Sequence, residues 1–296
     1  MLVLKLAYSE ELDFIEELQG LRGLLKKKSI NIGLVESLEK NTHIIKIICD
    51  DDNYNEKIRK KIIMYVSNIM YKIIIEKYRK KELFEFLTDN YFFLRQSELL
   101  EAEEIIMKVL RLENSNKDTD FLYYSNIINE IIDKIKICIE ENNEFNINGF
   151  LLFRMKELRS NIEIIIDRII ENYIIDKEYE EFIRLLKYFV NIQDSKLQEV
   201  NLTIQTLGGY SLTDGNGKDI LDEFLKELAG CKIGVDANME DIIISGLITN
   251  SPKRIIIHGK SNCVNKEFMD TIEKVFENKV IFCKGCILCV EKQVKL

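Results

Sequence analysis

The chain has 296 residues, a formal net charge of −8, 46% hydrophobic and 31% charged residues, a balance that excludes intrinsic disorder. The negative charge argues against wholesale binding to nucleic acid or anionic lipid. No apolar run approaches the roughly 18 to 20 residues that span a bilayer, so a transmembrane helix is not expected.

Leu2 to Ala7 is a strand candidate. It is too short for a signal peptide and is followed at once by Glu10, Glu11 and Asp13, so the cytosol is the expected compartment. Ser9 is the expected cap of a helix running to Lys27. Asn31 to Glu36 and Thr42 to Cys49 form a predicted hairpin around Lys40-Asn41, with His43 opening its second strand in a packing role. Asp50 to Asp52 then reads as solvated charge before a helix.

Apolar residues at helical spacing from Ile58 to Ile73 predict a half-buried helix over Asn55 to Tyr78, and more helix is expected over Lys81 to Arg111. The polar run Glu113 to Thr119 marks a boundary, and Glu140 to Asn148 a loop. Phe150 to Tyr173 and Lys177 to Ile192 carry two apolar stripes, Phe150, Phe153, Leu158, Ile162, Ile165 and Ile169, then Phe182, Leu185, Leu186 and Phe189. They predict two long antiparallel helices with a short connection. Arg154 and Arg184 within them are expected to be ion-paired or exposed rather than ligand-binding.

At about Gln198 the character changes. Val200 to Thr206 and Tyr210 to Thr213 predict a hairpin, closed by Asp214-Gly215-Asn216-Gly217. Lys218 would put a cation where a calcium loop needs an oxygen, so that stretch is a turn; Gly208-Gly209 lacks the lysine and hydroxyl of a phosphate loop. Helices are predicted over Lys218 to Ala229 and Met239 to Ile248. A strand over Arg254 to His258, a helix over Asn265 to Glu277 and a strand over Lys279 to Phe282 make a β–α–β unit with parallel strands. The fold class is therefore α+β, predominantly helical, with a long helix pair in the centre and a small β-α-β unit at the C-terminus. Three regions are expected: an N-terminal α+β region over 1–118, a helical region over 119–197, and a C-terminal α/β lobe with a cysteine cluster over 198–296.

Seven cysteines without an export signal point to reduced thiols, hence burial or metal binding. Cys283, Cys286 and Cys289 recur at two-residue spacings after the last strand, a pattern with which a tight turn helped by Gly285 can present several thiolates to one zinc ion. Parallel strands end at one sheet edge, so His258 and Cys263, which follow the first strand, are both candidate fourth ligands. An iron–sulfur cluster lacks its fourth cysteine here, and a Cys286–Cys289 redox dithiol would normally open a helix. Cys49, Cys138 and Cys231 read as ordinary core or surface thiols. From Ser251 onward nine Lys or Arg oppose five Asp or Glu, making this tail basic.

Glu178-Tyr179-Glu180-Glu181-Phe182-Ile183-Arg184-Leu185-Leu186-Lys187-Tyr188-Phe189-Val190 resembles the central signature of the YtxC-like family of sporulation-associated proteins from endospore-forming bacteria. Gly149 to Lys156 upstream, and Asp241 to His258 with the closing cysteines downstream, extend the resemblance over Gly149 to Cys289; the N-terminal half agrees in order and length. The resemblance implies a sporulation context and a bacterial cytoplasm, and supplies no activity or catalytic residue. The expected function is thus that of a non-enzymatic interaction protein with a zinc-binding cysteine cluster. Its partner is another protein, an acidic one if Lys253, Arg254, Lys260 and Lys284 form the contact. The alternative is a metal- or thiol-dependent enzyme working at the same cysteine-rich edge. Nucleic-acid binding by the basic tail is disfavoured by the acidic body.

Overall fold

The computed structural model describes residues 1–9, 14–51, 54–113, 120–142, 144–206, 208–230, 238–286 and 289. Glu10, Glu11, Asp52, Leu207, Cys231 and most of the polar run before Asp120 lie outside the described residues. Contacts divide the chain into two compact units, Met1–Tyr173 and Ile174–Leu296.

In the first unit, β1 (Leu2–Tyr8) precedes α1 (Ile15–Lys26) and the hairpin of β2 (Ile32–Glu39) and β3 (Thr42–Cys49). Ser9 does not cap α1. The helix begins six residues later behind the buried ring of Phe14, without a side-chain cap, because the apolar residues Leu18, Leu21 and Leu25 fix where it docks. His43 stacks on Tyr8, with ring centroids 5.0 Å apart, and its Nδ1 lies 3.2 Å from Glu36 Oε1.

Helix α2 (Glu56–Tyr78) is capped by the Asn55 side chain and runs through a single π-type turn over Arg79–Leu83 into α3 (Phe84–Asn90). The expected helix to Arg111 is interrupted over 91–95 and resumes as α4 (Gln96–Leu110), followed by α5 (Phe121–Glu140). The predicted loop over Glu140 to Asn148 contains a short strand, β4 (Glu144–Asn146), parallel to β1. Three residues with one buried ring, Phe145, are too few to show alternation in sequence. Sheet order is β2-β3-β1-β4.

The expected helix pair is instead α6 (Ile147–Phe153) followed by one unbroken helix, α7 (Met155–Ile192), of 38 residues. Ile174, Ile175 and Asp176 include no glycine or proline, so nothing stops the backbone hydrogen bonding. What looked like two helices is a change of buried face. Leu158, Ile162, Ile165, Ile166 and Ile169 are buried in the first stretch, and Ile183 and Val190 in the second, whereas Phe182, Leu185 and Phe189 are exposed. Arg154 is exposed and pairs with Glu157.

The second unit continues with the antiparallel hairpin of β5 (Val200–Ile204) and β6 (Tyr210–Asp214), then α8 (Leu221–Gly230), α9 (Met239–Asn250), β7 (Ile255–His258), α10 (Lys266–Phe276) and β8 (Val280–Phe282). The Asp214 carboxylate accepts the backbone N–H groups of Asn216 and Lys218, so this segment is an Asx-type turn. The β7–β8 pairing is parallel, as the β–α–β pattern requires; β7 also pairs in parallel with β5, and the sheet order is β6-β5-β7-β8. Strand alternation sorts this sheet into two faces. Val200, Leu202, Ile204, Ile255 and Ile257 join Phe224, Leu247, Ile272 and Val275 in the core. Asn201 and His258 belong to the opposite face.

Candidate metal centre

The β7–β8 ladder extends one residue past Phe282, because the Cys283 N–H donates to the Ile257 carbonyl at 2.9 Å. This bond carries Cys283 beside His258, the last residue of β7. The chain then turns back on itself: Gly285 adopts φ +129°, a conformation that side chains rarely tolerate, and its N–H points at Cys283 Sγ, 3.5 Å away. The Cys289 N–H donates to the Cys286 carbonyl at 3.0 Å. The ladder bond, the bend at Gly285 and this last bond together gather three sulfurs.

His258 Nδ1, Cys283 Sγ, Cys286 Sγ and Cys289 Sγ all lie within 4.8 Å of one another. Cys286 and Cys289 are 3.8 Å apart, as are Cys283 and Cys289, and His258 Nδ1 stands 3.4 Å from Cys286 Sγ and 3.6 Å from Cys289 Sγ. Ligands at tetrahedral angles, with zinc–sulfur near 2.3 Å and zinc–nitrogen near 2.0 Å, stand about 3.8 Å apart between sulfurs and about 3.5 Å between nitrogen and sulfur. These four separations agree with that tetrahedron, so the residues fit one small ion. The sulfurs are far outside disulfide bonding distance.

Of the two candidate fourth ligands, the fold brings His258 to the triplet and leaves Cys263 out. The Cys263 thiol lies beyond the turn at Lys260–Asn262, donates to the Asn265 carbonyl at 3.1 Å, and is pushed to higher pKa by burial. At Cys283 the Gly285 amide favours the thiolate, but burial and the neighbouring thiols of Cys286 and Cys289 favour the protonated form, and the net shift is upward. A thiol held protonated in this way is the electrostatic condition that a bound cation relieves.

Behind the imidazole stands a residue that sequence reasoning missed. His258 Nε2 lies 3.1 Å from Asn201 Oδ1 on the neighbouring strand β5. The Asn201 amide donates to Glu199 Oε1 at 3.2 Å and to the Asp214 carbonyl at 3.4 Å, which orients its oxygen toward the histidine. The Nε2–H therefore donates to Asn201, and Nδ1 presents its lone pair to the sulfurs. Glu199 is in turn anchored by Arg254, whose guanidinium holds the carboxyl below its ordinary pKa. Only the parallel β5–β7 register brings Asn201 here, and a lone asparagine in a strand does not announce it. Asn201→Ala is expected to weaken metal binding by about 10- to 30-fold without abolishing it, read by competition with a chromophoric chelator.

Arg254 and Lys260, two of the four cations expected to face a partner, are engaged inside the second unit, with Glu199 and with Glu273. Lys260 Nζ also sits 3.8 Å over the Phe282 ring. No helix among the described residues is long and apolar enough to cross a membrane.

The YtxC-like family matches residues 64–281, a range that includes His258 and ends two residues before Cys283. A protein of Bacillus subtilis (strain 168) described as "Uncharacterized protein YtxC" is 22% identical over 139 residues, covering 47% of this chain and 49% of that protein. The alignment thus spans about half the length of the relative. No solved structure matches the chain. With well over half of its residues matched, this chain belongs to the YtxC-like family.

Proposed function

We propose that this protein is a non-enzymatic interaction protein of the bacterial cytoplasm, acting in sporulation, whose C-terminal lobe is stapled by one zinc ion. The observation that carries the reading is the closed set of His258, Cys283, Cys286 and Cys289, whose mutual distances suit a single tetrahedral ion. Three thiolates and one imidazole are a soft donor set that favours zinc over magnesium, calcium or manganese. A cluster of several iron atoms would spread its thiolates more widely than 4.8 Å. Four protein ligands leave no open position for substrate or activated water, which favours a structural role over the alternative of a metal-dependent enzyme. The Asn201 support of the imidazole is typical of a metal-ligating histidine. Sporulation and the cytoplasm rest on family membership and on the resemblance carried by Glu178 to Val190.

Elemental mass spectrometry on purified, untagged protein tests the reading, beside a Cys283→Ser/Cys286→Ser variant. The expected result is about one zinc per chain, lost in the variant. A reduced, anaerobically prepared sample holding no metal, or zinc unchanged in the variant, would overturn it.

A further inference from the structure

Apart from the metal centre, the second unit carries an open groove of about 530 Å³ walled by three helices. Its floor is apolar: Tyr179, Phe182 and Leu186 come from α7, Ile244 and Ile248 from α9, and Phe268 from α10. On α7 and α9 these positions recur every three or four residues, so each of the two helices turns one stripe toward the groove. The groove's rim carries three carboxylates, Glu240, Asp241 and Glu267, and no lysine or arginine lines it among the described residues. Glu240 is already held by Tyr210 and Asn265, whereas Asp241 and Glu267 are exposed.

The apolar surface does not stop at the groove. Phe182 is 51% exposed at its edge, and Leu185 and Phe189 continue along α7 at 57% and 45% exposure. A run of large exposed side chains beside an apolar trough is characteristic of an interaction site. The carboxylates lining the rim then select the occupant, for they repel an acidic ligand and attract a basic one; Lys274, whose ammonium lies over the Tyr179 ring, is not among the lining residues. A trough between helices takes an amphipathic helix by apolar anchors at i, i+3/i+4 and i+7.

We propose that this groove receives a basic amphipathic helix of a partner protein, its apolar face on Phe182, Ile244 and Ile248 and its lysines or arginines against Asp241 and Glu267. The proposal rests on the reading of the chain as an interaction protein and does not require the metal. It also reverses the charge expected from the tail: the partner surface is basic.

The test uses full-length, zinc-assayed protein and two synthetic helical peptides with the same apolar face, one flanked by lysines and one by glutamates. Fluorescence anisotropy is expected to show the lysine peptide binding at least about tenfold more tightly, more weakly as salt rises. Asp241→Lys/Glu267→Lys, at exposed positions, should abolish or reverse that preference. Asp194→Lys/Asp222→Lys, an equal charge change at exposed positions of the same unit that do not line the groove, should keep it. The proposal fails if neither peptide binds, if both bind alike, or if the two double variants behave the same. Failure in a sample with about one zinc per chain removes the groove and leaves the stapled lobe standing; binding in a sample without zinc does the reverse.

Discussion

Stripping the metal from the intact protein is expected to produce the largest loss of stability available without touching the core. A ligand that binds only the folded state stabilises it by about 4 kcal/mol when its free concentration is 1,000 times Kd. Structural zinc sites bind tightly enough to exceed that ratio at trace zinc. The second unit has its own buried core, built on Val200, Leu202, Ile257 and Ile272, so chelation should lower its thermal transition by more than about 10 °C rather than abolish the fold. Scanning calorimetry with and without chelator would measure this, and Cys283→Ser/Cys286→Ser should sit at the chelated value. Equal transitions in all samples would remove the staple.

The pH dependence should change sign with the metal. In metal-free protein the Cys283 pKa is raised above its ordinary value of 9.0. The folded state then prefers the protonated thiol, so its stability is complete below the unfolded pKa and declines as pH rises through the folded one. The chelated lobe should therefore lose stability on going above about pH 9. Metal-loaded protein needs thiolates and a neutral imidazole, so it should instead release metal and weaken in mild acid. Two profiles sloping the same way would contradict the ligand set.

A second large effect is expected at Gly246 in the middle of α9. Alanine in place of a helical glycine ordinarily stabilises by about 0.5–1 kcal/mol. Here an added Cβ would fall inside the Phe224 ring on α8, and Phe224 is 2% exposed with no room to withdraw. Overpacking of this kind should outweigh the propensity gain and leave Gly246→Ala less stable by about 3 kcal/mol. Gly20→Ala in α1 is the control, for nothing lies within 4 Å of its new Cβ, and it should stabilise by about 0.5–1 kcal/mol. Denaturant unfolding of both variants reads the contrast directly. A neutral or stabilising Gly246→Ala would mean that α8 and α9 do not pack as described.

Much of this molecule is legible along the chain because its signals are local. The alternation in Val200 to Ile204, the β–α–β run ending at Phe282, the Asp214 turn and the spacing of Cys283, Cys286 and Cys289 each involve neighbours within a few residues. Parallel strands end at one sheet edge, and that rule alone brought His258 within reach of the triplet. It could not separate His258 from Cys263, because one ends β7 and the other lies just beyond it; the ladder bond from Cys283 to Ile257 made the choice. Asn201 was invisible for the same kind of reason, being 57 residues from His258 and joined to it only through the β5–β7 register. The unbroken α7 misled because its apolar stripe changes face along its length; periodicity reports burial, while continuity depends on the absence of a breaker. The amino-acid order by itself determined which residues could ligate a metal and that they lie near one edge. Long-range strand pairing decided which of them meet, because a tetrahedron of donors is a condition on distances in space that spacing along a chain cannot express.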